Sequence, residues 1–354
     1  MTLSLSSLRI AQVMLSSGFG GAERLFVDIC QHLAEAGHRV QAVCHPEFVE
    51  LKQLEHDRIT VTTLKARWDF SPLARNKMRR ALRNFQPNVI HTHLARGSMI
   101  AGSAAASLSI PVAANLHDYV KLKYYRKIDH FFPGTQHQKS YLMRHGVEQK
   151  DITVIPHFSR LTVASTPKDP RDFSHNTPVF TAFGRFAPEK GFPVLLQSIK
   201  MLHNDGLKAR LILGGDGPQR GNLLELINTL GLKDFVTLPG WIDDTARFLD
   251  QSPFFVLPSW HEPFGIVILE AMARGNVIIS TRVQGPREIL DDSTAFLAEP
   301  GDPESLAAAM RKAWHNQDEA AAKAKKAWLV YQDQYAPEKI IPLFEQKYRE
   351  MTAK

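Results

Sequence analysis

The residues best suited to chemistry lie in the run Ser259-Trp260-His261-Glu262-Pro263-Phe264-Gly265-Ile266 and its continuation to Gly275, directly after the β-prone segment Phe254 to Leu257. A helix is expected to start near Pro263 or Phe264, where a proline costs no hydrogen bond, and to stop at Gly275. Its first N–H groups would be free to hold phosphate or sugar hydroxyls, with Gly265 allowing close approach. Glu262 falls in the loop before that helix and Glu270 about two turns inside it, among Leu269, Ala271 and Met272. A carboxylate in apolar surroundings requires hydrogen-bond donors, and sugar or ribose hydroxyls are such donors. The competing reading is a surface loop acid and an exposed helix residue. A second element, Gly184-Arg185-Phe186-Ala187-Pro188-Glu189-Lys190-Gly191, follows the β-prone run Val179 to Phe183. Arg185 and Lys190 could neutralise a diphosphate leaving group in place of a divalent metal, or could simply be the solvated cations of a turn.

Toward the N terminus, Ser16-Ser17-Gly18-Phe19-Gly20-Gly21-Ala22-Glu23-Arg24 is a glycine-rich loop whose amides can approach a ligand. Its spacing is not that of the dinucleotide fingerprint. Gly214-Gly215-Asp216-Gly217-Pro218 is a similar loop, or no more than a turn. His91 and His93 alternate on one strand and share a face, and His117-Asp118 ends the next. No carboxylate or thiolate pattern completes a zinc motif, so no metal is expected. His117, at a strand's carboxyl end, is the histidine placed for catalysis.

Two sets of alternating strands and helices must position these loops. Leu8 to Leu15, Val40 to Cys44, Ile59 to Leu64, Val89 to His93, Pro111 to His117 and Ile152 to Pro156 read as strands of a first α/β unit. The proline-bearing stretch Leu161 to Pro178 reads as a linker. Val179 to Phe183, Ala209 to Leu213, Phe235 to Leu238, Phe254 to Leu257 and Val277 to Thr281 then start a second alternation. Two Rossmann-like, doubly wound domains facing a cleft are expected, spanning residues 1–165 and 166–336. Helices follow Pro300, and a last helix from Pro337 to the end is expected to return to the N-terminal domain.

Length and composition agree with two ordinary domains: 354 residues, 44% apolar and 22% charged. No window is apolar enough to span a membrane. Cys30 and Cys44 lie in apolar segments, which reads as buried thiols in a reduced, cytoplasmic protein. The formal charge of +7 is unevenly placed, for Met1 to Asp169 carries 22 Lys and Arg against 13 Asp and Glu, and the remainder 21 against 23. The densest basic run is Arg75, Lys77, Arg79, Arg80 and Arg83, with a second at Lys121, Lys123, Arg126 and Lys127 around Tyr124 and Tyr125. Such a half could meet anionic lipid or an acidic saccharide, or present only a solvated face. No nucleic-acid module is present, and nucleic acid is not an expected partner.

Taken in order, these motifs resemble the family 4 retaining glycosyltransferases of the GT-B fold, also called glycosyl transferases group 1. The resemblance rests on Gly20-Gly21-Ala22-Glu23-Arg24, His117-Asp118, Gly184-Arg185 through Lys190-Gly191, Gly215-Asp216-Gly217-Pro218 and the E-x7-E pair Glu262 and Glu270. The family's asparagine-glycine pair after the segment Ile152 to Pro156 is here His157-Phe158. The resemblance implies that Arg185 and Lys190 hold a donor diphosphate, Glu262 the transferred sugar and Glu270 the ribose. It further implies that amides of Phe264, Gly265 and Ile266 bind sugar hydroxyls or phosphate, that Gly20 and Gly21 approach the donor, and that His117 lies beside the reacting centre. The activity implied is transfer of a hexose-type sugar, with retention and without a metal or other cofactor, from a nucleotide-diphosphate sugar, by default a UDP-sugar, to a hydroxyl of a glycan or lipid-linked acceptor. The setting implied is bacterial envelope polysaccharide or lipopolysaccharide synthesis, at the inner face of the cytoplasmic membrane. A nucleotide-sugar epimerase on the same architecture and a basic surface-binding protein with a vestigial sugar site are the alternatives.

Overall fold

The computed structural model describes residues 6–18, 20–66, 71–173 and 177–353. Phe19 of the glycine-rich loop and residues 174–176 of the expected linker lie outside the described residues. The chain forms two compact units, Met1–Phe158 with Pro337–Lys354, and Ser159–Ala336.

The first unit is built on β1 (Arg9–Met14), β2 (Arg39–Cys44), β3 (Ile59–Thr63), β4 (Val89–His93), β5 (Val112–Asn115) and β6 (His130–Phe132), all parallel in the order β3-β2-β1-β4-β5-β6. The second has β7 (Val179–Phe183), β8 (Arg210–Gly214), β9 (Val236–Thr237), β10 (Phe254–Leu257), β11 (Val277–Thr281) and β12 (Ala295–Ala298), in the order β12-β11-β10-β7-β8-β9. Counted from its own first strand, each sheet runs 3-2-1-4-5-6, the doubly wound order of dinucleotide-binding folds. β1 and β10 are buried on both faces, as helices covering both sides of a parallel sheet require. Local signals set the helix ends. Ser71 accepts from Ala74 N ahead of Pro72 in the helix Pro72–Phe85, and Asp302 accepts from Glu304 N and Ser305 N ahead of Pro303 in the helix Pro303–His315.

Three sequence expectations are corrected. Ile152 to Pro156 is not a strand and makes only an isolated bridge, Ile152 to Phe131. The sixth position is taken by His130–Phe132, too short to show a period in sequence. The break between units falls between Phe158 and Ser159, and not between residues 165 and 166. The described part of the expected linker is instead docked on the second unit: Ala164 N donates to Ala273 O, Lys168 N to Gly275 O, and Trp328 Nε1 to Ala164 O. Lys168 Nζ adds bonds to Leu249 O and Asn276 Oδ1. Buried backbone partners of this kind turn a proline-rich stretch into part of a domain surface. The helix after Glu262 also starts later than expected, at Ile266.

As expected, a last helix, Pro337–Thr352, packs within the first unit, burying Ile340, Ile341, Phe344 and Tyr348. The Phe344 and Tyr348 rings stack on each other and meet Phe132 and His91. Cys30 and Cys44 are free and buried; burial raises both thiols, Cys44 to about 12, and leaves them unreactive. Among the described residues no helix is long and apolar enough to cross a membrane.

Candidate functional site

In a doubly wound sheet the chain turns in opposite directions after the first and fourth strands, so the loops following these two neighbours diverge and leave a crevice at their carboxyl ends. In the second unit those neighbours are β7 and β10, which pair directly at Phe180 and Phe254. The loop after β7 carries Arg185 and Lys190, and the loop after β10 carries Glu262. Two motifs far apart in sequence are thereby brought together, and Lys190 Nζ donates to Glu262 Oε2 at 2.6 Å. The rest of the two loops is tied as well. Trp260 N and His261 N donate to Glu189 O, the Trp260 indole N–H donates to Pro188 O, and Ser259 Oγ reaches Glu262 Oε2. Arg185 is exposed at the same loop.

Glu262 and Glu270 are 8% and 5% exposed, so neither is the surface acid of the competing reading. The helix that follows spans Ile266–Ala273 and begins later than the expected Pro263 or Phe264. The cause is Gly265, whose φ of 103° puts it in the left-handed region, where a helix cannot continue through it. Phe264 is instead buried against the core, and Glu262 O accepts from Gly285 N. Glu270 consequently sits little more than one turn inside the helix, not two. The Ile266 N–H lies at that helix's first position, where it has no partner within the helix. The glycine loop after β8 is more than a turn. Gly215 has φ of 125°, and a side chain there would run into Gly184 O, while Phe186 N donates to Asp216 O at 2.8 Å. It therefore props the loop that carries Arg185.

In the first unit the corresponding loops follow β1 and β4. Gly20 is the N-cap and Gly21 the first residue of the helix Gly21–Glu35, and Glu23 is buried in its first turn. His117 lies just beyond β5, and His93 Nδ1 stands 3.0 Å from His117 Nε2. Behind them is a buried polar row that sequence reasoning found only in part. Gln12 on β1 lies opposite His91 in the β1–β4 register, and His93 lies opposite Asn115. Gln12 and Tyr348 were missed; a lone glutamine inside the apolar run Ile10 to Leu15 was the available signal. Burial pushes His91 down to about 3 and His157 to about 4. Burial and then neighbouring imidazoles hold His93 and His117 well below the ordinary histidine value. These are neutral rings in a hydrogen-bonded row. Among the described residues no three His, Cys, Asp or Glu converge on a point that could hold a metal ion.

An open groove of about 970 Å³ lies at the opposite, amino ends of β4 to β6, where Arg126, Lys127, Lys150 and Lys347 are offset by Asp129, Asp151 and Glu350. Parallel sheets bind ligands at carboxyl ends, and none of the candidate residues lines this groove. The second basic cluster is partly structural, for Tyr125 is buried and Lys123 covers the Tyr124 ring at 4.9 Å.

Two Rossmann units in one chain are the architecture of the GT-B class of glycosyltransferases, and here a cation and a carboxylate pair at the switch point of the second. Residues 19–159 match the Glycosyltransferase Family 4 profile, and residues 177–316 the glycosyl transferases group 1 profile. The chain is 33% identical over 306 residues to the lipopolysaccharide core biosynthesis glycosyltransferase LpsD of Rhizobium meliloti, covering 83% of this chain and 84% of that protein. It is 31% identical over 313 residues to LpsE of the same organism, covering 83% and 85%. The crystal structure of Anabaena Alr3699/HepE in complex with UDP-glucose superposes with a TM-score of 0.83 at 20% identity, over 97% of this chain and 100% of that one. The chain belongs to the family 4 glycosyltransferases, and the resemblance read from its motifs is borne out.

The neutral histidines have a thermodynamic consequence. Their folded-state values lie below the unfolded value near 6.5, so the unfolded chain binds more protons in the window between the two. Stability is complete above about pH 6.5 and falls as pH drops toward about 4 and then 3, each ring contributing up to about 1.4 kcal/mol per pH unit. In an NMR titration the Cε1–H signals of His91, His93, His117 and His157 should stay at neutral-ring positions down to about pH 5. Titration of these four near 6.5 would show that the row is solvated.

Proposed function

We propose that the protein transfers a sugar, with retention and without a metal, from a nucleoside-diphosphate sugar to a hydroxyl of a lipopolysaccharide core acceptor. The observation that carries this reading is the Lys190–Glu262 pair at the β7–β10 switch point, beside Arg185. A lysine ammonium has three N–H donors. Lys190 can therefore keep Glu262 oriented and still donate to a diphosphate, while Arg185 supplies a second cation. Charge building on the departing diphosphate is met by groups already in place, which is the work a divalent ion does elsewhere. Glu262 and the amides of Phe264, Gly265 and Ile266 receive the sugar and Glu270 the ribose, and the family resemblance gives Gly20, Gly21 and His117 a role toward the donor.

No carboxylate is assigned as a nucleophile in this scheme. The bond between the sugar's anomeric carbon and the diphosphate oxygen breaks, the acceptor oxygen bonds to the same face of that carbon, and the acceptor proton passes to the leaving diphosphate. The relatives' names support the acceptor class, and the UDP-glucose complex of the Anabaena protein supports UDP as the default nucleotide.

The same reading places the chain in the cytoplasm, against the inner face of the membrane that carries the acceptor. The helix Pro72–Phe85 supports it, with Leu73, Arg75, Lys77, Arg80 and Arg83 exposed on a helix without an acidic residue.

Lys190→Ala should lower kcat/KM by at least ~100-fold, and near-normal turnover would remove Lys190 from this role. In a panel of UDP-, GDP- and ADP-sugars with EDTA present, one donor should raise the melting temperature and release nucleotide slowly. Activity lost to EDTA and restored by Mg²⁺ or Mn²⁺ would refute the metal-free scheme. The protein should sediment with phosphatidylserine-containing vesicles and leave them at high salt, and combined Lys77→Glu, Arg80→Glu and Arg83→Glu changes should abolish this binding. Unchanged sedimentation of that variant would clear the helix of the role.

A further inference from the structure

The polar row in the first unit has a direction, and the direction follows from what each atom can donate or accept. Gln12 Oε1 lies 3.0 Å from His93 Nε2. Gln12 Nε2 lies 3.2 Å from His91 Nδ1 and 3.3 Å from the Tyr348 hydroxyl, which is itself 2.7 Å from His91 Nδ1. His93 Nδ1 is 3.0 Å from His117 Nε2. Gln12, His91, His93 and Tyr348 are all fully buried.

We propose that the tautomer of His117 is set from the C-terminal helix: Tyr348 orients the Gln12 amide, Gln12 fixes the proton of His93 on Nε2, and His93 in turn fixes that of His117 on Nε2, leaving His117 Nδ1 bare. An amide oxygen only accepts, so His93 must donate to Gln12 through Nε2. A neutral imidazole carries one N–H, so His93 Nδ1 accepts, and the hydrogen between the two rings comes from His117 Nε2. The row is neutral throughout, because a charge on any ring would be buried among imidazoles.

The amide could in principle be turned over, and every ring proton along the row would then reverse. Counting unmet groups separates the two arrangements. As placed, one amide hydrogen of Gln12 goes to the Tyr348 oxygen, the other shares the lone pair of His91 Nδ1 with the Tyr348 hydroxyl hydrogen, and one group is wholly unmet, the N–H at His91 Nε2. Turned over, an amide hydrogen faces only His93 Nε2 and its twin has no acceptor, while His91 Nε2 becomes a bare nitrogen without a donor. Two unmet buried groups are worse than one.

Tyr348, Gln12 and His93 are thus positioning residues, and their effect on catalysis rests on the reading that His117 lies at the sugar site. A bare Nδ1 accepts a hydroxyl hydrogen and repels phosphoryl or carboxylate oxygen. His117 is then matched to a hydroxyl of the donor sugar or acceptor.

The test is a long-range ¹H–¹⁵N correlation spectrum of imidazole nitrogens in the ligand-free, ¹⁵N-histidine-labelled protein. His93 and His117 should each show a protonated Nε2 and a bare Nδ1. Tyr348→Phe keeps the ring but removes the acceptor for one Gln12 hydrogen, which brings the two arrangements level at two unmet groups each. His117 should then show both tautomers, and kcat/KM should fall by up to about tenfold. Protonated Nδ1 on wild-type His117, or an unshifted tautomer in Tyr348→Phe, would overturn the proposal. If that variant does not fold, the wild-type spectrum decides alone. The spectra need no substrate, so they are independent of the proposed function. Normal turnover by His117→Ala would count against that function's use of His117 and leave the spectra to decide the relay.

Discussion

An all-parallel sheet that grows outward in both directions from its first strand has one place where neighbouring loops part company, and both units of this protein are organised around it. Between β7 and β10 the chain leaves one strand toward β8 and the other toward β11, so no helix covers the carboxyl ends at their junction. Lys190 and Glu262 meet in that gap. Their pairing is affordable because each partner relieves the other. Glu262, nearly buried, has the Lys190 ammonium as its partner, and Lys190 is directed inward rather than left to solvent. The loops on either side serve this geometry: Gly215 lets one backbone lie against another, Trp260 ties its loop to Pro188, and Gly265 delays the helix so that Phe264 is buried and Glu262 stays outside it.

The first unit meets the same topology with different chemistry. In place of an ion pair it holds a row of neutral polar side chains across β1, β4 and the C-terminal helix. A buried row of this kind is stable only while nearly every donor has an acceptor, which is why it constrains orientation so tightly. The C-terminal helix is part of that arrangement and not merely a cover. Its Phe344 and Tyr348 close the apolar side of His91, and the Tyr348 hydroxyl completes the hydrogen bonding. His157 and Phe158 are both buried, His157 against Leu116 O and Phe158 edge-on to His32.

Much of this was legible in the amino-acid order. Strand-forming runs, helix periodicity and the proline and glycine boundaries are local properties, so the two α/β units, their central strands and the last helix from Pro337 could be read directly. The loops after β1, β7 and β10 were legible for the same reason, since their glycines, cations and carboxylates follow immediately on recognisable strands. Short edge strands were not. His130–Phe132 has too few residues to carry a period, and Ile152 to Pro156 is apolar because it lies beside β6, not because it extends the sheet.

What the sequence determined by itself was the inventory: which residues could hold a diphosphate, which could hold hydroxyls, and on which kind of turn each sits. What only the tertiary structure decided was adjacency. The β7–β10 pairing joins Lys190 to Glu262, the left-handed Gly265 moves Glu270 a turn closer to the helix start, and the return of the last helix sets Tyr348 beside Gln12 and His91. The first and the last depend on contacts between segments distant along the chain. Strand order and the exact rotation of a buried side chain are set by packing and by hydrogen-bond satisfaction, which no local pattern of residues encodes.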